Sequence, residues 1–105
     1  MSDDAQATND KLAKKAIRAE INRILVRWDP LHLKGLRGAD RAYEEFVAPL
    51  FVLAIKREDY MVIARHLDEL MTTTWRMPRD KEACVANARK IYNTAAIFRG
   101  EEPLT

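Results

Sequence analysis

The sequence predicts an all-α protein, a single four-helix bundle-like domain with short loops and a kinked second helix. Four segments carry apolar residues at the 3.6-residue spacing of a helix that buries one face. Glycine and proline are scarce, with three and four among 105 residues, which favours long helices over a turn-rich β fold. A chain of this length holds one domain with a single core. We expect that domain to span residues 10–99, between mobile tails at residues 1–9 and 100–105.

The first helix is predicted to begin near Asp10, because Thr8, Asn9 and Asp10 can each cap a helix N-terminus. Its stripe consists of Ile17, Ile21, Ile24, Leu25 and Trp28. Pro30 ends the helix, since the residue before a proline is pushed out of the helical region. A connector over residues 30–38 comes next, with two glycines and three leucines that we expect to fold onto the core.

The second helix is predicted to begin near Ala39 or Asp40. Its stripe consists of Tyr43, Phe46, Val47, Leu50, Leu53 and Ala54. Pro49 lies inside this segment, so we expect a kink or a restart of the helix there.

The third and fourth helices complete the bundle. The third is predicted over residues 58–73, with Glu58 and Asp59 at the positive end of its dipole and a C-terminal run of threonines that weakens it. The fourth is predicted to begin near Pro78, a favoured first-turn residue, and to end at Gly100, a C-terminal cap.

The sequence favours a cytoplasmic protein without a membrane segment. No apolar run approaches the ~20 residues that span a bilayer, and the acidic N-terminus lacks the apolar segment of a signal peptide. Cys84 is the only cysteine. An internal disulfide is therefore impossible, which agrees with a reducing compartment.

Residues that could carry out catalysis or bind a metal do not occur at suitable spacings. His32, His66 and Cys84 are far apart in sequence, and none belongs to a known ligand motif. Cys84 lies on an apolar stripe, which is typical of a buried small residue. We therefore expect no enzyme activity, no catalytic residue, no metal and no cofactor.

The middle of the chain is acidic and its flanks are basic, which fits either scattered surface acids or a surface that binds a protein partner. Clustered carboxylates suit a basic partner, whose complementary charge raises the association rate and the specificity. Trp75, beside Arg76 and Met77, is either packed against the bundle end or an exposed anchor for a partner. On charge, the candidate partner-binding residues are Asp40, Glu44, Glu45, Glu58, Asp59, Asp68, Glu69 and Trp75.

The basic first helix offers an alternative. Lys11, Lys14, Lys15 and Arg18 share one helix face, which is either a solvated face opposite the core stripe, the interpretation we favour, or a surface that neutralises phosphates. The alternative function is a nucleic-acid-binding or regulatory protein, although the sequence carries no recognisable nucleic-acid module.

The stretch Ile21–Leu31, which contains Trp28-Asp29-Pro30, resembles a family of small helical bacterial proteins. In these proteins a helix ending in Trp-Asp-Pro precedes a segment with paired aromatic residues, as in Tyr43-Glu44-Glu45-Phe46 here. Relatives in that family are immunity proteins for polymorphic toxins, including contact-dependent growth inhibition systems. The resemblance covers residues 17–95, but His32 and the Arg41-Ala42 pair depart from the family's pattern.

The resemblance implies an immunity protein that binds a cognate toxin domain, a basic nuclease such as a tRNase, and occludes its active site. In such families the toxin-contacting residues vary, so the resemblance assigns none here. We expect the motif residues to be architectural: Trp28 and the paired aromatics should pack, and Asp29 should accept hydrogen bonds from the backbone of the connector.

Overall fold

The structure, a computed structural model, describes the backbone of residues 2–56 and 59–104 and the side chains of residues 10–56 and 59–104. All regular structure in these ranges is helical, which confirms the predicted all-α fold. The α-helices are α1 (Ser2–Trp28), α2 (Val47–Ile55), α3 (Tyr60–Glu69) and α4 (Lys81–Phe98). Short 3₁₀ turns at Ala39–Arg41 and Glu44–Phe46 precede α2, and a π-helical turn at Leu70–Thr74 extends α3.

The helices form a bundle around one apolar core. Both α1 and α3 pack against α2 and α4, so α1 and α3 occupy diagonal positions. The contact between the Trp28 and Trp75 rings brings the C-terminal end of α1 next to the segment that leads into α4, so α1 and α4 are antiparallel. The largest fully buried side chains are Tyr43, Ile21, Leu25, Leu50, Ile63, Leu67, Ile91 and Cys84.

The N-terminus of α1 differs from the prediction. The helix begins at Ser2 and not near Asp10, because Ala5, Gln6 and Ala7 propagate a helix well and the capping residues do not interrupt it. Residues 2–9 are therefore helical; their mobility stays a prediction. The C-terminus is as predicted, because α1 ends at Trp28, two residues before Pro30.

The second helix is bent, as predicted. The segment first forms the two 3₁₀ turns, and α2 begins only at Val47. Pro49 therefore lies in the first turn of α2, where a backbone N–H has no partner within the helix. This position avoids the loss of a hydrogen bond that an interior proline would cause.

The helical structure of the third segment ends near Thr73 as predicted, but its last turn is π-helical and not α-helical. Asp59 is the N-cap, because its side chain accepts a hydrogen bond from the Met61 N–H at 3.0 Å. Glu58 lies outside the described residues. After Glu69 the helix widens into the π-helical turn, in which the Trp75 N–H donates to the Leu70 carbonyl at 2.7 Å.

The fourth helix begins later than predicted. Asp80 caps it by accepting from the Ala83 N–H at 3.1 Å, so α4 starts at Lys81 and not near Pro78. Gly100 is the predicted C-terminal cap, with φ at +76°. The Glu101 N–H then donates to the Ala96 carbonyl at 2.9 Å, which is the bond of a Schellman motif.

Candidate functional site

Four aromatic rings meet where α1 and α3 end and α2 begins, and we call this part of the bundle the aromatic end. The Trp75 ring lies 6.4 Å from that of Trp28, 5.8 Å from that of Tyr43 and 5.2 Å from that of Phe46, always edge to face. Edge-to-face contacts of this kind stabilise a fold beyond the area they bury. The predicted packing of Trp28 and of the paired aromatics is therefore confirmed.

Asp29 and Tyr43 fix the connector beneath this cluster. One Asp29 carboxylate oxygen accepts from the Leu33 N–H and from the Tyr43 hydroxyl, both at 2.8 Å. The other accepts from the Lys34 N–H at 2.8 Å. The Tyr43 hydroxyl in turn accepts from the Leu31 N–H at 3.0 Å. The predicted bonding of Asp29 to connector N–H groups is confirmed, and we call these four contacts the Asp29–Tyr43 network.

The network changes the acidity of both of its side chains. The Leu33 N–H holds the pKa of Asp29 below its ordinary value of 3.8, and the Tyr43 and Lys34 bonds act in the same direction against burial. Burial raises the pKa of Tyr43 to about 12, and its bond to the Asp29 carboxylate acts in the same direction. Asp29 is thus a stable anion and Tyr43 a stable neutral donor at pH 7.

Among residues 2–56 and 59–104, three non-glycine residues have left-handed backbone conformations, and all three lie at the aromatic end. Asp29, His32 and Arg76 have φ angles of 50°, 56° and 53°. Such conformations are tolerated by aspartate and histidine but are unusual for arginine. Residues held in sparsely populated conformations concentrate at functional sites, because surrounding contacts must hold them there.

Most of the predicted acidic set borders the aromatic end. Glu44 and Glu45 form the 3₁₀ turn that leads into α2, and both are exposed. Asp40 is exposed one turn earlier, where its carbonyl accepts from the Asn22 side chain at 3.2 Å. Glu69 is exposed at the C-terminus of α3.

The remaining members of the set are placed differently. Asp68 is only partly exposed, and its carboxylate bonds the Arg79 guanidinium at 3.0 Å. Asp59 caps the opposite end of α3, about 15 Å away at 1.5 Å per residue. The structure therefore places Asp40, Glu44 and Glu45 on one short exposed segment before α2, where Glu44 lies near Arg18 and Asn22 of α1. Asp59 lies at the opposite end of α3.

Trp75 has a mixed environment. Its indole is partly buried among the three other rings, so it packs on the bundle end, which is one of its two predicted placements. Its Nε1 atom is buried without a hydrogen-bond partner.

The four basic residues of the α1 stripe also differ in their surroundings. Lys11, Lys14 and Lys15 are exposed. The guanidinium of Arg18 lies 4.9 Å from the centre of the Phe51 ring on α2, which is a cation–π contact. Arg18 thus contributes to packing between α1 and α2.

A second surface feature, absent from the sequence prediction, is the groove between α1 and α4, which we call the α1–α4 groove. Its volume is about 460 Å³, and its lining consists of Glu20, Ile24, Arg27, Trp28, Asn87, Lys90, Asn93, Thr94 and Ile97. It combines apolar, amide and basic side chains. Only the antiparallel pairing of the first and last helices brings these residues together.

The potential metal ligands among the described side chains are dispersed, and Cys84 is buried. Among residues 10–56 and 59–104, no group of three or more histidine, cysteine, aspartate or glutamate residues could hold a metal ion. Burial raises the pKa of Cys84 to about 11, so its thiol is protonated at pH 7 and is a poor nucleophile. None of the described helices combines the length and the apolar composition needed to cross a membrane.

Comparisons with protein-family models, with curated proteins and with solved structures found no match to this chain.

Proposed function

We propose that this protein is an immunity protein of the bacterial cytoplasm, which binds a cognate toxin domain and occludes its active site without catalysis or a cofactor. The toxin would be a basic nuclease, such as the tRNase of a contact-dependent growth inhibition system. The observation that carries the proposal is the exposure of Asp40, Glu44 and Glu45 on the short 3₁₀ turns beside the aromatic end.

Rigidity supports this proposal, because a preorganised surface loses little conformational entropy on binding. The Asp29–Tyr43 network fixes the connector before Asp40. The Phe46 ring, directly after Glu45, contacts the Trp75 ring. The three carboxylates are therefore held on backbone with little freedom to move. The resemblance of the Trp28-Asp29-Pro30 stretch to immunity proteins points the same way.

The mechanism would be electrostatic and steric. A nuclease cleft is basic because it binds phosphate, so carboxylates on a rigid body can occupy the phosphate positions and exclude the substrate. Complementary charge would mainly accelerate association. The partly buried aromatic rings behind the acids would add apolar contact area at the centre of the interface.

The direct test combines rescue with affinity. The protein should protect cells that express the terminal domain of the toxin encoded next to its gene. Reversing one charge, in Glu44→Lys or Glu45→Lys, should weaken toxin binding about tenfold or more, measured by calorimetry, because a carboxylate contact becomes a like-charge repulsion.

Asp10→Lys is the matched control, because it makes the same charge reversal at an exposed position on α1, far from the aromatic end. Its affinity should equal that of the wild-type protein. Equal weakening in all three variants would mean that only net charge matters, and unchanged affinity in the Glu44 and Glu45 variants would remove both residues from the interface.

The exposed lysines of α1 favour a second candidate, a nucleic-acid-binding protein. Lys11, Lys14 and Lys15 remain free to meet phosphates, since the structure exposes all three. This function predicts binding to bulk RNA that weakens steeply with salt and is abolished by Lys14→Glu with Lys15→Glu. Salt-insensitive binding, or binding that survives the double change, would contradict it.

A further inference from the structure

The C-terminal residues 101–104, which we call the C-terminal strap, turn back along α4. Gly100 makes the reversal possible, because its φ of +76° is readily available only to glycine. Arg99 then fixes the direction in which the chain leaves α4. Its guanidinium donates to both carboxylate oxygens of Glu101, each at 3.1 Å, and to the Ala54 carbonyl of α2 at 3.3 Å.

The Asn93 side chain binds the backbone at the far end of the strap. The Leu104 N–H donates to Asn93 Oδ1 at 2.7 Å, and Asn93 Nδ2 donates to the Leu104 carbonyl at 3.1 Å. One side-chain amide thus satisfies the donor and the acceptor of one residue, as a neighbouring β-strand would. Such pairing recognises extended backbone and leaves the side-chain sequence open.

The distances agree with an extended strap. Asn93 precedes Gly100, which lies just beyond α4, by seven positions, or about 10 Å at the helical rise of 1.5 Å per residue. Four extended residues span about 13 Å at 3.3 Å each. Pro103 favours this extended conformation, because its ring fixes φ and restricts the preceding residue.

The α1–α4 groove continues from the strap, since Asn93 and Ile97 line it. Ile24, Trp28 and Ile97 give it an apolar side, and Arg27 and Lys90 give it positive charge. Its one lining acid, Glu20, is paired with Arg23. The strap carries Glu101, which is paired with Arg99, and the exposed Glu102, so the segment that lies beside the groove is acidic.

We propose that the α1–α4 groove is a docking site for an extended acidic peptide segment of a partner protein, whose backbone Asn93 binds as it binds Leu104. The C-terminal strap is then an intramolecular competitor that the partner displaces. This surface is separate from the carboxylates of the aromatic end, and the inference does not depend on the toxin-binding proposal.

The test uses the full chain and a capped peptide with the sequence of residues 100–105, Gly-Glu-Glu-Pro-Leu-Thr. Leu104→Pro removes the N–H that donates to Asn93 Oδ1. Without this hydrogen bond, the strap is released. The peptide should bind the Leu104→Pro protein about tenfold tighter than the wild-type protein, because the wild-type strap competes at a high effective concentration. The measurement is an NMR titration that follows the Asn93 side-chain amide.

Two control peptides test separately the backbone hydrogen bond to Asn93 and the negative charge. A peptide with N-methyl-leucine lacks the N–H donor, and a peptide with lysines in place of both glutamates reverses the charge. Each should lose about three- to tenfold in affinity, as expected for one lost solvent-exposed hydrogen bond or for a like-charge contact. Adding Asn93→Ala to Leu104→Pro should abolish binding, whereas adding Glu82→Ala, an exposed change near the start of α4, should not.

Circular dichroism of each variant establishes that it is folded. Equal peptide affinity of the wild-type and Leu104→Pro proteins would overturn the strap as a competitor. Absence of binding to folded Leu104→Pro protein, or binding that survives Asn93→Ala, would overturn the groove as a peptide site.

Discussion

At the scale of single residues, Asp29 has the most demanding position in the chain. It combines a left-handed backbone conformation with three accepted hydrogen bonds, from Leu33, Lys34 and Tyr43. Aspartate is suited to both, because a short polar side chain tolerates this conformation and a carboxylate has two accepting oxygens. The chain turns from α1 into the connector at this residue.

Two substitutions separate these contributions. Asp29→Asn keeps tolerance of the left-handed conformation but replaces one accepting oxygen with a donor, and we expect a loss of about 1–3 kcal/mol in unfolding free energy. Asp29→Ala also adds the conformational cost, about 1 kcal/mol more. Urea denaturation measures both. An alanine variant as stable as the asparagine variant would show that the backbone conformation is not strained.

The raised pKa of Tyr43 predicts that the unfolding free energy depends on pH in the alkaline range. An unfolded tyrosine loses its proton near pH 10, whereas burial raises the folded pKa to about 12. The Tyr43 contribution to stability is therefore complete below about pH 10 and is lost as the pH rises toward 12. Tyr43→Phe should show a smaller fall in unfolding free energy across this window, measured by urea denaturation at each pH. Parallel curves for the two proteins would contradict this assignment.

The sequence predicted the part of this network that is local. Pro30 had to end α1, and the Asp29 carboxylate then lay beside the N–H groups of the connector. The bond to the Tyr43 hydroxyl could not be predicted, because it depends on how the 3₁₀ turns return the chain to α1.

At the scale of secondary structure, Pro49 shows how position within a helix decides the effect of a residue. It lies in the first turn of α2, where no helical hydrogen bond is lost. Pro49→Ala should therefore change the unfolding free energy by about 0.5 kcal/mol or less. Leu53→Pro, in the body of the same helix, should cost about 3 kcal/mol or more. A large loss in Pro49→Ala would mean that the proline fixes the bend.

The π-helical turn after α3 marks a limit of pattern-based prediction. The threonine run indicated a weak C-terminus, but a widened turn leaves the apolar pattern of the preceding helix unchanged. The turn instead sets the path of the chain beyond α3, because hydrogen bonds to Leu70 and Met71 place Trp75 and Met77. The position of Trp75 within the ring cluster therefore depended on geometry that periodicity does not encode.

At the scale of the whole molecule, helix order decides which charges become neighbours. The sequence identified an acidic middle, yet α3 is long enough to separate Asp59 from the acids of the aromatic end. The α1–α4 groove was not predicted for the same reason, since its two walls come from the first and last helices. Fold class was readable from local spacing, and surface sites were not.

Binding and stability should be separable across the molecule. Glu44 and Glu45 are exposed, so reversing either charge should leave the unfolding free energy within about 0.5 kcal/mol of wild type. Thermal and urea denaturation of the same samples used for toxin binding measure this. A coincident large loss of stability would assign any weaker binding to unfolding and not to the interface.

The ring cluster has a spectroscopic consequence. Both tryptophans of the chain belong to it, so intrinsic emission excited at the indole band reports on one end of the protein alone. A ligand arriving near Glu44 would alter that signal, and so would a peptide that fills the α1–α4 groove, since Trp28 lines it. Release of the tail from Asn93 alone would leave the emission nearly constant, so the molecule carries a built-in optical probe that distinguishes occupancy of a binding surface from simple tail release, without any added label.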